Sequence, residues 1–384
     1  MSAERPSRVA FVTDIVTPYM TAVFRALAER SRLSVIFSAE RGSRGADWTI
    51  DAGETLDRTV VGGLVIRRGV DSTDYYPDPR LLTALARARP EGIVVGGFSF
   101  PTLYAASYGR FAGSAVAIHS DGTSESERHI SRGQQLTRTV LLRAAHCAVA
   151  NSAAAADRFR ELGVREERLF RANHTTDMDA FWAVGHARTA ADGPLRVISV
   201  GRLIPRKGLE LLIEAVRRAG ETGAQVRLDI VGSGPEQDRL RAVAAEHGVG
   251  ERIVFHGFVD QHELPPLYAD ADVFAFPTLE DPFGIVALEA AACGLPILGS
   301  LYAGATTELV EEGVTGHRID PRDVGALAGR LVQLAADRER TLEMGRAAHR
   351  ETLSRTPAAA AEGYLAALAV ARTERGSAVT AARA

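Results

Sequence analysis

Short apolar runs bounded by turn residues recur along the chain. They alternate with longer stretches in which apolar positions repeat every three or four residues. The first pattern predicts buried strands and the second helices packed on them. In the first half the strands are expected at 8–13 (RVAFVT), 33–37, 92–96 (GIVVG), 115–119 (AVAIH), 147–150 and 169–171, with 64–68 as an edge strand. Pro18 opens a helix through Arg30, and further helices are predicted over 79–89, around 132–143 and over 153–162, the last capped by Asn151 and Ser152. Residues 41–57 are polar and show no clear period.

Residues 173–194 (NHTTDMDAFWAVGHARTAADGP) lack a strong period and read as an interdomain linker. Alternation restarts at Leu195, with strands at 195–200, 226–231, 253–255, 273–276 and 297–299. Helices are predicted between and after them at 208–219, 235–247, 262–269, 307–311 and 321–335. Strand-helix alternation on both sides of the linker predicts an α/β protein with two doubly wound parallel sheets, in residues 1–172 and 195–355. A last helix, 357–375, lies within a C-terminal segment, 356–384, expected to cross back to the first domain. Ligands of such sheets bind at the carboxyl ends of the strands, which places the expected site in a cleft between domains.

Composition narrows the function classes. A length of 384 residues suits two domains with separate cores, and a net charge of −3 supplies no basic field for nucleic acid. Cys147 and Cys293 form neither a disulfide framework nor a metal cluster. The first residues lack the apolar core of a signal peptide. The uncharged runs 92–109 and 290–307 are broken by Gly and Pro, so no transmembrane segment is expected and a cytoplasmic location is. All but one of the 45 basic residues are arginine, and the lone lysine is Lys207. A compact ammonium enters spaces that a planar guanidinium does not fit.

Three loops that follow predicted strands carry the candidate chemistry. The first runs from Gly201 to Gly208 (GRLIPRKG) and holds Arg202, Arg206 and Lys207 just before a helix. The second is Gly232-Ser233-Gly234-Pro235-Glu236. The third follows the strand at 273–276, carries Asp281 and Phe283, and opens a helix at Gly284 that Gly294 and Pro296 stop. Cations beside helix N-termini at strand ends suit a di- or triphosphate, and nearby acids suit sugar hydroxyls. Glu289 stands out because its neighbours Ala287, Leu288, Ala290, Ala291 and Ala292 make that helix apolar nearly all round. A carboxylate there needs a partner. It is either structural or a hydrogen-bond acceptor for vicinal hydroxyls of a bound sugar.

These residues, with His256-Gly257-Phe258 and Ala269-Asp270-Ala271-Asp272-Val273, resemble the donor domain of the retaining nucleotide-sugar glycosyltransferases of family 4 (group 1), which have the GT-B fold. The likeness is dense over about 195–340 and extends to the first half only in layout. The resemblance implies a metal-independent hexosyl- or glycosyltransferase, without cofactor, that moves a sugar from a nucleotide-diphosphate donor, UDP-linked by the family's habit. It implies that Arg202 and Lys207 hold the diphosphate and that Glu289 binds the ribose. Asp281 with the backbone of Phe283, Gly284 and Ile285 would hold the transferred sugar, and Gly257, Phe258 and Val259 would flank the base. Gly201, Gly232 and Gly234 line the donor loops, and His119 falls where the family places a histidine facing the donor sugar.

Two departures accompany the match. Asp281 stands where the family usually has Glu, and residues 13–20 (TDIVTPYM) lack the double glycine of many members. Asp177 and Asp179 fall in the linker and Asp270 and Asp272 flank a strand start, so neither string is read as a metal site. The acceptor, a small molecule, natural product or glycan, stays open at this level, as do a homodimer and peripheral contact with a membrane. A nucleotide-sugar epimerase or cyclitol-coupling enzyme of the same fold, and a non-catalytic nucleotide-sugar-binding subunit, are the alternatives.

Overall fold

In the computed structural model, which describes residues 7–15, 17–39, 56–63, 65–68, 73–189 and 192–381, the apolar runs pair as parallel strands in two separate sheets. Contacts divide the chain into one unit of Met1–Asp177 with Arg355–Ala384 and another of Met178–Ser354.

The strands of the first unit are β1 (Arg8–Thr13), β2 (Arg32–Phe37), β3 (Asp57–Val60), β4 (Ile66–Arg68), β5 (Thr73–Tyr75), β6 (Gly92–Gly96), β7 (Ala115–Ser120), β8 (Cys147–Ala150) and β9 (Leu169–Arg171). Seven of them form a parallel sheet in the order β3-β2-β1-β6-β7-β8-β9. Its helices are α1 (Pro18–Arg30), α2 (Arg80–Ala88), α3 (Phe100–Ala112), α4 (Arg132–Ala144) and α5 (Ala153–Glu161). The central strands are apolar on both faces because helices cover both, as Phe11, Val94, Ala117 and Val149 on one side and Val12, Val95, Ile118 and Ala148 on the other illustrate.

The second unit contains α6 (Asp179–Ala187), β10 (Leu195–Val200), α7 (Leu209–Glu221), β11 (Val226–Val231), α8 (Gln237–Glu246), β12 (Ile253–Gly257), α9 (Leu264–Asp270) and β13 (Val273–Phe276). It continues with α10 (Ile285–Ala292), β14 (Ile297–Ser300), α11 (Gly304–Leu309), β15 (Gly316–Ile319), α12 (Val324–Ala336) and α13 (Arg338–Thr352). Its six strands run parallel in the order β12-β11-β10-β13-β14-β15. All strand C-ends therefore share one edge, and the order reverses direction between β10 and β13.

The last helix, α14 (Pro357–Ala381), belongs to the first unit. A stripe of Ala360, Ala361, Tyr364, Ala367, Leu368 and Ala371 is buried against that unit's core. Small residues make the approach close: a Cβ on Gly363 would lie 2.0 Å from the Arg171 carbonyl oxygen, and one on Gly92 2.8 Å from the Leu368 side chain.

Several expectations need correction. Residues 173–194 are not a bare linker, because α6 lies within them and buries Phe181 beside Tyr268, with ring centroids 6.1 Å apart. Arg188, just past α6, donates to the carbonyls of Cys293, Ala271 and Tyr268 at 2.5–2.7 Å and so stitches the segment onto the second unit. The strand expected at 64–68 is β4, paired antiparallel with β5 outside the main sheet, and residue 64 lies outside the described residues. The sheet edge is β3 instead, all four of its residues exposed and so without an apolar signature. Helices α3 and α13 and strand β15 were not anticipated. The inner face of α13 is built from Thr341, Met344, Gly345, Ala348 and His349, too polar and small to mark a stripe.

Candidate functional site

Three loops at the C-terminal edge of the six-stranded sheet are bound to one another through glycines. A Cβ on Gly232 would lie 1.9 Å from the Gly201 carbonyl oxygen, and one on Gly234 2.3 Å from that of Leu203. Leu203 N–H donates to Ser233 O at 2.8 Å, and Glu236 N–H to Leu203 O at 3.0 Å. On the other flank a Cβ on Gly208 would fall 2.1 Å from Pro277 O, while Leu279 N–H donates to Arg206 O at 2.7 Å. Side chains at Gly232 and Gly208, both at positive φ, would drive the loops apart.

Lys207 closes a short 3₁₀ turn at the junction of these loops. Its Nζ is 2.6 Å from Asp281 Oδ2 and 5.2 Å from the centre of the Phe276 ring, and its stem lies over Gly201, where a Cβ would sit 3.6 Å from Cε. The two side chains are only 14% and 12% exposed, so the pair is largely withdrawn from water. Arg206 Nη1 lies 3.8 Å from the same oxygen and donates to Glu280 O at 2.8 Å. Asp281 Oδ1 accepts from Phe283 N–H at 3.3 Å. Arg202 is exposed, and among the described residues it pairs with no carboxylate.

Asp281 is further held by a hydrogen bond from its N–H to Tyr302 O at 3.1 Å, and Gly304 N–H donates to its carbonyl at 3.1 Å. The chain then turns at Gly284, whose φ of 94° lets α10 start against the Phe276 ring; a Cβ there would lie 2.4 Å from that ring. Phe283 is buried, Gly284 and Ile285 are half-buried, and the first turn of α10 presents its backbone N–H groups at the sheet edge. After β12, Phe258 is 39% exposed and Val259 half-buried.

Glu289 is 1% exposed inside α10. Gln261 Nε2 donates to its Oε1 at 2.5 Å and the Tyr268 hydroxyl to its Oε2 at 3.3 Å. Burial raises its pKa to about 7, against the lowering pull of these two donors. Sequence reasoning singled out Glu289 but missed both partners, since nothing in Gln261 or in the run PPLYAD around Tyr268 marks them. Asp272, read as structural, accepts from Arg196 N–H at 2.8 Å and pairs with Arg338 at 2.7 Å.

His119 belongs to the first unit, at the C-end of β7. Its Nδ1 lies 3.2 Å from Asn151 Oδ1, and burial lowers its pKa despite that contact. Asn151 was expected to share in capping α5. Ser152 alone makes the cap, accepting from Ala155 N–H at 3.0 Å, while the Asn151 side chain turns to His119.

A family model described as Glycosyl transferases group 1 matches residues 186–351. The putative colanic acid biosynthesis glycosyltransferase WcaL of Salmonella typhimurium is 34% identical over 195 residues, which cover 49% of this chain and 47% of WcaL, so the match spans about half of that relative. A glycogen synthase of Mycobacterium tuberculosis is 30% identical over 331 residues, covering 83% of this chain and 75% of the synthase. The chain belongs to the group 1 glycosyltransferases. Among solved structures, Anabaena HepE in complex with UDP superposes with a TM-score of 0.71 at 20% identity, over 97% of this chain and 100% of HepE. The two parallel-sheet domains thus have the GT-B glycosyltransferase fold.

Within this group 1 glycosyltransferase, the family match falls on the unit that carries Lys207, Arg202, Asp281 and Glu289. Those four residues, Gly201, Gly232, Gly234, Phe258, Val259, Phe283, Gly284 and Ile285 all lie on or beside the loops after β10, β11, β12 and β13. Among the described residues, no helix is long and apolar enough to cross a membrane.

Proposed function

We propose that this protein transfers a glycosyl group from a nucleoside-diphosphate sugar, UDP-linked, to a hydroxyl of a small-molecule or glycan acceptor, with retention and without a metal ion. The observation that carries the reading is the Lys207 ammonium, fixed by Asp281 at the junction of three glycine-clasped loops beside the start of α10. Arg202, exposed on the same loop and free of carboxylate partners among the described residues, supplies a second cation. A diphosphate needs such charges, and a helix N-terminus adds backbone donors.

In the reaction, the bond from the anomeric carbon to the diphosphate breaks through an oxocarbenium-like state. Lys207, Arg202 and the α10 N-terminus stabilise the charge growing on the leaving phosphate. The acceptor oxygen bonds to the anomeric carbon on the face the diphosphate leaves, and its proton passes to that phosphate. Gly201, Gly232 and Gly234 line the donor loops, and the last two let those loops pack closely on the first. Phe258 and Val259 flank the base, and Glu289 binds the ribose hydroxyls once Gln261 yields Oε1. Asp281, with the backbone of Phe283, Gly284 and Ile285, holds the transferred sugar, and His119 is the catalytic candidate of the first unit. The UDP bound by HepE, a protein of the same fold, supports the choice of base.

The test is a panel of UDP-, GDP- and dTDP-sugars with alcohol and glycan acceptors, run with and without EDTA. The reading expects nucleoside diphosphate to be released only when an acceptor is present, EDTA to have no effect, and the product to keep the donor's anomeric configuration. Acceptor-independent epimerisation, or binding without turnover on every pair, would replace it with one of the same-fold alternatives.

A further inference from the structure

His119 is held by groups from three separated stretches of the first unit. Asn151, just after β8, places Oδ1 3.2 Å from His119 Nδ1. The Asn151 amide nitrogen donates in turn to the Ala172 carbonyl and to the Tyr364 hydroxyl of α14, both at 2.9 Å. The Tyr364 hydroxyl also lies 3.5 Å from Nδ1, and the Phe11 ring packs edge-on against both His119 and Tyr364 at 5.2 and 5.3 Å.

The hydrogen-bond inventory of these groups permits one arrangement. The Ala172 carbonyl only accepts, so the Asn151 amide must point its NH2 there; turned over, it would set oxygen against oxygen. Asn151 Oδ1 therefore faces His119 Nδ1, and that nitrogen must carry the proton. The remaining ring nitrogen, Nε2, is an acceptor. It is buried and has no hydrogen-bond partner among the described residues. A Cβ on Gly96 would sit 2.9 Å from Nε2, so Gly96 packs against that edge of the ring and a larger residue there would press on the nitrogen. A neutral imidazole whose second nitrogen is locked by a neighbour offers a single, directed lone pair.

We propose that Asn151, buttressed by Tyr364, is a positioning residue that locks His119 in its Nδ1–H form, so that Nε2 is the ring's acceptor toward a substrate hydroxyl. This rests on the glycosyl-transfer reading above. It adds a specific demand, that the group meeting His119 be a donor O–H and not an acceptor oxygen. It also gives α14 a part in the site, through the Tyr364 hydroxyl.

Nitrogen-15 NMR of the full chain labelled at histidine reads the tautomer with no substrate present, so it stands apart from any failure of the transfer reading. In the wild type, at neutral pH, His119 is expected to be neutral and protonated at Nδ1. Burial favours the neutral ring, while Asn151 and Asp121 favour the charged one and His174 again the neutral one. Asn151→Leu, which removes the acceptor while keeping the volume, should populate the Nε2–H form. It should also lower kcat on the order of 10- to 100-fold, the scale on which outer partners tune a histidine ligand, with UDP affinity unchanged. Tyr364→Phe should keep the Nδ1–H form and give a smaller loss. A wild-type His119 protonated at Nε2, or an Asn151→Leu protein with the tautomer and kcat of the wild type, would overturn the proposal. If instead the wild type transfers nothing to any acceptor, the transfer reading fails while the tautomer result still decides the role of Asn151.

Discussion

Replacing Lys207 separates its part in the fold from its part in catalysis. From sequence, a loop lysine would be expected to add little to stability, but the structure makes Lys207 half of a largely buried pair, 2.6 Å from Asp281. Removing one partner of a buried pair costs about 3–5 kcal/mol when the other charge is left alone. Asp281 would not be alone, since Phe283 N–H still reaches Oδ1 and Arg206 lies 3.8 Å from Oδ2. Lys207→Ala should therefore cost about 2 kcal/mol, which in a unit of this size lowers Tm by about 4–8 °C. Its transfer rate should fall further, by roughly 100- to 1000-fold, the effect of removing one donor from a developing oxyanion. Lys207→Arg divides the two effects. A guanidinium still pairs with Asp281 and should recover much of the Tm. The space between Asp281, the Phe276 ring and Gly201 is shaped to a narrow stem with a point charge, so transfer should stay near the Lys207→Ala level. Thermal melts and steady-state transfer with one matched donor and acceptor check both. Wild-type turnover in Lys207→Arg would show that the ammonium shape is irrelevant. An unchanged Tm in Lys207→Ala would show that the Asp281 pair adds nothing to the fold.

Three other substitutions probe the same unit. Glu289 holds its proton up to about pH 7 in the fold but ionises near 4.5 in the unfolded chain, so the stability it contributes is complete below 4.5 and lost as pH rises through 7; Glu289→Gln should flatten the pH dependence of urea unfolding between pH 5 and 8. Above pH 7, where Glu289 is ionised, the same variant should weaken UDP binding by roughly 10- to 150-fold, the worth of a charged hydrogen bond to hydroxyls, and calorimetry that finds equal affinity there would make Glu289 purely structural. Gln261→Ala, measured at a pH above the Glu289 titration, should tighten UDP binding by about 2- to 12-fold because it frees Oε1 from one internal hydrogen bond. Gly232→Ala should cost about 3 kcal/mol or more in urea melts, since its Cβ meets the Gly201 backbone at a φ of 135°.

What the sequence made legible follows from where water is excluded. Strands covered on both faces, such as β6 and β13, are apolar throughout and could be read directly. Exposed β3 carries Asp57, Arg58 and Thr59 and gave no such signal, while α13 packs through small and polar residues. The glycines at 201, 208, 232, 234 and 284 marked the candidate loops because each sits where a side chain would strike a neighbouring loop or ring, or where φ is positive. The partners stayed hidden. Lys207 and Asp281 are 74 positions apart, Gln261 and Glu289 28, and Asn151 and Tyr364 213, and no local period encodes pairings made only by the folded sheets. Asn151 was assigned to a helix cap because the local pattern fits one, yet its side chain serves His119.

A crystal structure of the full chain grown with UDP tests the assignment of the diphosphate directly. The expected map has diphosphate oxygens within hydrogen-bond distance of Lys207 Nζ and the Arg202 guanidinium. The first turn of α10 faces the same group, and the ribose hydroxyls sit on Glu289 in place of the Gln261 amide. A diphosphate bound away from the loops after β10 and β13, with Gln261 still on Glu289, would contradict it.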